Sequence, residues 1–320
     1  MATASTIHIS LSEHPTFAVP ALKADSAQIT TELLQKNHER HHIFFNPSGF
    51  HNHIVHHLLS LYALGASTSS IQMQWNGHEP SQRPPGAVDK AVVEAMHDPS
   101  QFRSYLNKQE HYPNFLRFFQ QKVEEHGWQT VAREYLLKGD EQANDLLARL
   151  FAGFLHPLIH LGFGVEFNQP AIVVEALTQA ALHDNYLQPF FLGAEKAAEA
   201  KKAEEASKTL PRLLDDIRAD KRLSTAAHWD DNNKIRDGIL KRASNEMIGY
   251  ASQWTVDPDS LEEKTAEMIN AVVYYTGCAQ HPPKQGGHQA SGSKILQARF
   301  LASKSQARLL LYQTISSKRR

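Results

Sequence analysis

The chain of 320 residues holds one cysteine, Cys278, so neither an internal disulfide nor a multi-thiolate zinc cluster is available to it. Surplus charge is also missing. The 33 Lys and Arg stand against 34 Asp and Glu, for a formal net charge of -1, and the pI is near 7.0. That balance argues against a phosphate-backbone binder or a polybasic membrane surface, so no nucleic-acid partner is expected. No apolar run is long enough to span a bilayer and mean hydropathy is -0.44, so no membrane-spanning helix is expected. The opening segment lacks a charged start followed by an apolar stretch and a cleavage site, and the terminal SSKRR matches no receptor-read address. The expected location is cytoplasmic. Sustained period-two alternation is absent, which excludes a sheet-based fold. No G-x-S-x-G elbow occurs, and GFGVEF (162–167) has neither a third glycine nor a preceding strand. A serine hydrolase and a dinucleotide fold are set aside on those grounds.

Histidine is what the chain has in excess. There are 19, and seven of them, His38, His41, His42, His51, His53, His56 and His57, crowd into one short stretch. Around them the pattern is helical. Residues 1–25 carry Pro15 and Pro20 without a helical period and read as an extended segment, after which Ile29, Leu33 and Leu34 mark a helix stripe. In the next segment Asn46 is placed as an N-cap, Pro47 at the first helical position and Gly65 as terminator, which predicts a helix over 47–64. Further helical windows fall at 86–97, 98–108, 113–137 with a break near Gly127, 140–163, 170–183, 234–254 and 258–279. The expected fold is all-α, a multi-helix bundle-like domain with a buried histidine-rich centre.

Two segments carry no charge at all. Between Ile43 and His78 there is no Asp, Glu, Lys or Arg, so the helix within it is predicted to be buried on all sides. Ile54, Val55, Leu58, Leu59, Leu61, Tyr62 and Ala63 fill most of its circumference, and His53, His56, His57 and Ser60 share the remaining arc. His53 pairs with His56 at i,i+3 and with His57 at i,i+4, spacings at which side chains meet. The second charge-free run, Leu150–Val165, sets His156 and His160 at i,i+4, with Pro157 predicting a kink near Gly153. A single buried histidine is more often a core residue bonded to backbone. Two buried helices that each offer a histidine pair are what a bundle-core metal site uses. No Glu-x-x-His pair accompanies them, which disfavours a carboxylate-bridged di-iron centre. A mononuclear centre suits either Fe(II) with oxygen chemistry or zinc with a bound water.

The stretches HHIFFNPSGFHNHIVHHLLSLYALGAS, QRP (82–84), HYPNFLRFF, FLHPLIHLGFGVEF, QPAIVVEAL and AVVYYTGCAQHPPK together resemble the questin oxidase-like family of fungal polyketide clusters, in the family's order over most of residues 30–285. The resemblance implies an α-helical oxidoreductase of secondary metabolism. Its reaction would be a Baeyer–Villiger-like ring opening of an anthraquinone-type polyketide, with O2, non-haem iron held by histidines, and NADPH. Carried onto this chain, the family's Asn-His pair falls on Asn52 and His53 and its His-Pro-x-x-His motif on His156 and His160. These three histidines are the expected metal ligands. His56 is the expected acid/base group on a phenolic substrate, and Glu166 is expected to orient a ligand histidine. After AQHPPK the family continues with a Met-His helix and a lysine-bearing helix, whereas QGGHQASGS stands here. The resulting divisions are 1–25 extended, 26–285 helical and 286–320 altered and shortened, with His288, Lys304 and Gln313 as the residues at or near the lost positions. A member that binds a pathway intermediate or a partner without turning it over is the alternative, and a zinc-dependent hydrolase or lyase is a third.

Overall fold

A computed structural model describes residues 1–13, 15–200 and 207–277. Cys278, His288, Lys304 and Gln313 lie outside them. Among the described residues every regular element is helical, and the one exception to coil and helix is an isolated bridge between Phe44 and His51. The fold is all-α. No single described helix is long and apolar enough to cross a membrane, although the bent pair Glu141–Arg149 and Gly153–Glu166 passes that test together.

The chain divides into two compact units, Met1–Asn185 and a second that begins at Tyr186. The first contains α1 (Ala24–Arg40), α2 (Ile54–Ala63), α3 (Thr68–His78), α4 (Lys90–Ala95), α5 (Pro99–Tyr105), α6 (Tyr112–His126), α7 (Trp128–Ala132), α8 (Glu141–Arg149), α9 (His156–Glu166) and α10 (Pro170–Ala181). Its centre is α10. All residues from Ala171 to Ala181 are buried, as expected of a helix that is apolar all round, and it packs on α9, α6, α8 and α7. Each fully buried Ile, Val or Leu there stabilises by roughly 1.5 to 3 kcal/mol. Pro170 opens the helix where a missing N–H costs nothing. Glu175 is its only ionisable residue. The amide of Gln169, fully buried just before α10, accepts from His8 N and donates to His8 O and Phe167 O. That amide ties the extended N-terminal segment to the core, where Ile7 and Ile9 are buried.

The predicted helix from Pro47 begins instead at Ile54. Asn46 caps a turn rather than a helix: its Oδ1 accepts Phe50 N, Gly49 takes φ +79°, and Phe45 N reaches Phe50 O at 2.9 Å. The side chain of Asn52 then caps the new helix, accepting Ile54 N at 2.9 Å. Gly65 ends α2 with φ +77°, as the spacing predicts. The window over 140–163 is interrupted by a 71° bend between α8 and α9. Gly153, Phe154 and Leu155 take φ of +53°, +55° and +67° in succession. In an unbroken helix the Gly153 carbonyl would await the N–H of residue 157, which Pro157 lacks. Here His156 Nδ1 donates to that carbonyl at 2.5 Å.

In the second unit α11 (Gln188–Glu199) packs on α14 (Ser244–Ala251), and α12 (Leu210–Ala219) packs on α15 (Leu261–Gly277); α13 (Lys221–Ser224) links α12 to the segment leading to α14. Phe190, Leu213, Ile217 and Met247 are among its buried residues.

The approach of α9 to α10 is set by Gly164, where an added Cβ would lie 2.8 Å from Val173 N. Gly164→Ala should therefore cost about 1 to 3 kcal/mol by forcing the helices apart. Denaturant unfolding checks this, and an unchanged midpoint would contradict the close approach.

Candidate histidine centre

The turn at 46–50 and the bend at 153–155 bring three separate segments together. His53 sits at the N-cap of α2 and His56 one turn inside it; His156 opens α9 and His160 follows one turn on. His53 Nε2 faces His156 Nε2 at 2.8 Å, and His56 Nε2 faces His160 Nδ1 at 3.1 Å. All three expected ligands thus border one locality, with His56 as a fourth ring between them. The centre also recruits His51 and His183. Their Nε2 atoms are 2.8 Å apart, and the His51 ring stacks on His156 with centroids 3.9 Å apart and planes 6° from parallel. Arg149 holds the His183 segment, donating to the His183 carbonyl while its Nε pairs with Asp145 at 3.0 Å.

Behind these rings lies a buried network. The Glu175 carboxylate accepts from His160 Nε2 at 2.7 Å and from His38 Nδ1 at 2.6 Å, and Gln120 Nε2 donates to His38 Nε2 at 3.2 Å. One chain of hydrogen bonds therefore crosses α6, α1, α10, α9 and α2. The partners decide the tautomers. A carboxylate only accepts, so His160 carries its proton on Nε2 and turns the Nδ1 lone pair toward His56. A carbonyl only accepts, so His156 donates from Nδ1 to Gly153 and presents a bare Nε2 to His53. Holding one imidazole nitrogen by an acceptor so that the other is free is the way proteins orient metal-binding histidines. The carboxylate in that role is Glu175 rather than Glu166, whose Oε1 accepts Phe17 N at 3.1 Å.

Electrostatics favours uncharged rings. Burial pushes His51 down to about 2, helped by His156 and His183, and pushes His56 to about 2, helped by His160 and His156. Burial lowers His183 to about 4, with His156 and Arg149 adding to the effect. Burial raises the Glu175 carboxyl, but the hydrogen bonds from His160 and His38 outweigh it and hold the group at about 2. The near-neutral pKa that an acid/base role for His56 calls for is therefore not what its surroundings produce. Its ring stacks on Phe163 at 5.4 Å and offers a hydrogen bond or a lone pair.

The α2 segment is also less enclosed than its lack of charge predicts. His53 is exposed and His56 and His57 are half-buried, because the histidine arc opens to the surface. Phe50 at 61% and Phe154 at 71% are the exposed aromatic neighbours of His51 and His156 in the chain.

The donor set, imidazoles held from behind so that a lone pair faces inward, fits a divalent first-row ion. As the rings stand they form three facing pairs. Among the described residues, the group whose donor atoms all lie within 4.8 Å of one another is His228, Asp230 and Asp231 in the second unit, where Asp231 already accepts two 2.7 Å bonds from Arg242. His51, His183, His38 and Glu175 were not among the residues singled out by spacing. Glu175 had one available signal, as the lone charge in an otherwise apolar helix.

An all-α unit built around convergent histidines defines the class, and the comparisons then specify it. A questin oxidase-like family profile matches residues 50–290, so this chain belongs to the questin oxidase-like family. It is 38% identical over 287 residues to a questin oxidase of Aspergillus terreus, covering 89% of this chain and 64% of the relative. It is 40% identical over 261 residues to the Baeyer-Villiger oxidase ptaJ of Pestalotiopsis fici, covering 81% and 58%. It is 40% identical over 288 residues to the oxidoreductase AflY of Aspergillus parasiticus, covering 88% and 58%. The chain spans about six tenths of the length of these relatives.

The depressed imidazole pKa values fix a pH dependence. His51 and His56 fall to about 2 and His42 and His183 to about 4, against an ordinary 6.5. Below pH 6.5 the unfolded chain takes protons that the folded chain refuses, so stability is complete above that pH and is lost as pH falls. The Glu175 carboxyl, held at about 2 against 4.5, adds a further loss below pH 4.5. With chelator present, the urea midpoint should hold from pH 7.5 down to about 6.5 and then drop steadily to pH 5. A flat profile would contradict uncharged, buried rings.

Proposed function

We propose that this chain carries the histidine centre of an oxygen-dependent oxidoreductase acting on a flat aromatic polyketide, with Baeyer–Villiger-type opening of an anthraquinone-class ring as the reaction. The observation that carries this reading is the facing of His53 on His156 and of His56 on His160, each α9 ring oriented from behind by an acceptor. The names of the relatives, questin oxidase and Baeyer-Villiger oxidase, support the oxidative chemistry. His53, His156 and His160 would hold a non-haem iron, with His56 beside them as a fourth imidazole. Bound iron(II) supplies activation of O2 that the side chains of this chain do not.

The protein's own part is positioning. The exposed rings of Phe50 and Phe154 flank the centre in sequence and offer apolar faces on which a planar substrate stacks. The backbone at Phe154 and Leu155 is held in the left-handed region, which costs free energy and is concentrated at functional sites. His56 accepts a hydrogen bond from a phenolic hydroxyl and holds that oxygen in place rather than trading its proton. Glu175 and Gly153 keep the α9 histidines from turning. Insertion of one oxygen atom with reduction of the other to water consumes two electrons, for which NADPH is the proposed donor; incorporation of both atoms consumes none.

A second reading has its own support. No three histidine nitrogens of the described centre fall within 4.8 Å of one another, which favours a chain that binds an aromatic intermediate without turnover.

His156→Ala should reduce bound iron by at least tenfold, in line with loss of a ligand and its orientation, and should abolish ring opening of an anthraquinone. Elemental analysis and product detection under O2, Fe(II) and NADPH check both. Stoichiometric iron retained by the variant would refute the assigned ligand. Tight anthraquinone binding by the unaltered protein with neither product nor iron would select the second reading.

A further inference from the structure

Gln179 lies on α10 four residues after Glu175, and His183 follows four residues later, just past the end of the helix. That spacing puts the three side chains on one face of an otherwise apolar helix. Its two neighbours on that face are both engaged in the histidine network, Glu175 with His38 and His160, and His183 with His51. Gln179 is not. It is completely shielded from solvent, and neither its amide nitrogen nor its amide oxygen has a hydrogen-bond partner in the protein. The hydroxyl of the adjacent Thr178 is equally buried and equally without a partner.

A buried carboxamide unmet at both ends is among the more expensive groups an interior can hold. The rest of α10 shows what packing alone selects: Ala, Ile, Val and Leu occupy nearly every other position from 171 to 181. A leucine at 179 would fill a similar volume with no polar penalty. Buried polar groups without a protein partner are normally met by ordered water, which makes about three hydrogen bonds. The carboxamide offers one accepting and one donating end, which matches water and does not match a species that only accepts or only donates. Complete closure around the side chain excludes anything much larger.

We propose that Gln179 is the protein half of a buried water site on α10, the water meeting the two ends of a carboxamide that the surrounding side chains leave unmet. The site stands on the geometry of α10 and does not depend on the oxidase reading, so an inactive protein would leave it intact.

The test is a crystal structure of the full chain at a resolution that orders water, together with the Gln179→Leu variant. Density for a water within hydrogen-bond distance of the Gln179 carboxamide is the expected result. The variant should lose that density and melt at a lower temperature than the unaltered protein. A carboxamide without bound water in the unaltered protein overturns the proposal, as does a Gln179→Leu variant that melts higher, the behaviour of a buried polar defect removed. Should the variant fail to fold, the density at Gln179 in the unaltered protein decides alone.

Discussion

A buried carboxylate shared by two histidines organises this protein. Glu175 stands in the middle of the most enclosed helix, where an unpaired charge would be intolerable, and it is tolerated because His38 and His160 each spend a nitrogen on it. Those two bonds lock α1 and α9 to α10 in a single rotational setting. The same bonds decide which nitrogen of His160 is bare. Fold and chemistry are therefore one constraint: the interaction that makes the core consistent is also the one that aims a lone pair at His56. The Gly153 carbonyl does the corresponding work for His156 in a different way, since a proline frees the acceptor and a histidine takes it.

Much of this was legible from residue order. The window at 170–183 reads as a helix, and α10 (Pro170–Ala181) is one. The kink near Gly153 follows from Pro157, and Gly65 ends α2 where a left-handed residue is needed. The paired histidines at 53, 56, 156 and 160 stand out by spacing, and the structure brings their rings together. Other features were hidden because they depend on contacts far apart in the chain. Nothing in the local pattern says that His38 meets Glu175, 137 residues away, or that His51 meets His183. α2 starts later than the spacing predicts for a local reason. Asn46 and Pro47 are good helix openers, but Gly49 in the left-handed region closes a turn first and Asn52 supplies the cap instead.

The lack of charge between Ile43 and His78 carried a mixed message. It indicated an unusual environment correctly, and it indicated full burial incorrectly, since His53 is exposed. An imidazole arc at the mouth of a site dispenses with Lys and Glu for a different reason than a core helix does. Uncharged rings that share hydrogen bonds and lone pairs tolerate one another at about 3 Å, where like charges would not.

Glu175 sets the tautomer of His160, and nitrogen-15 NMR of histidine-labelled protein reads that directly. The His160 proton should sit on Nε2, with Nδ1 bare, in the unaltered protein, and mixed tautomers should appear once Glu175 is replaced by leucine. A His160 ring protonated on Nδ1 while Glu175 is intact would contradict it.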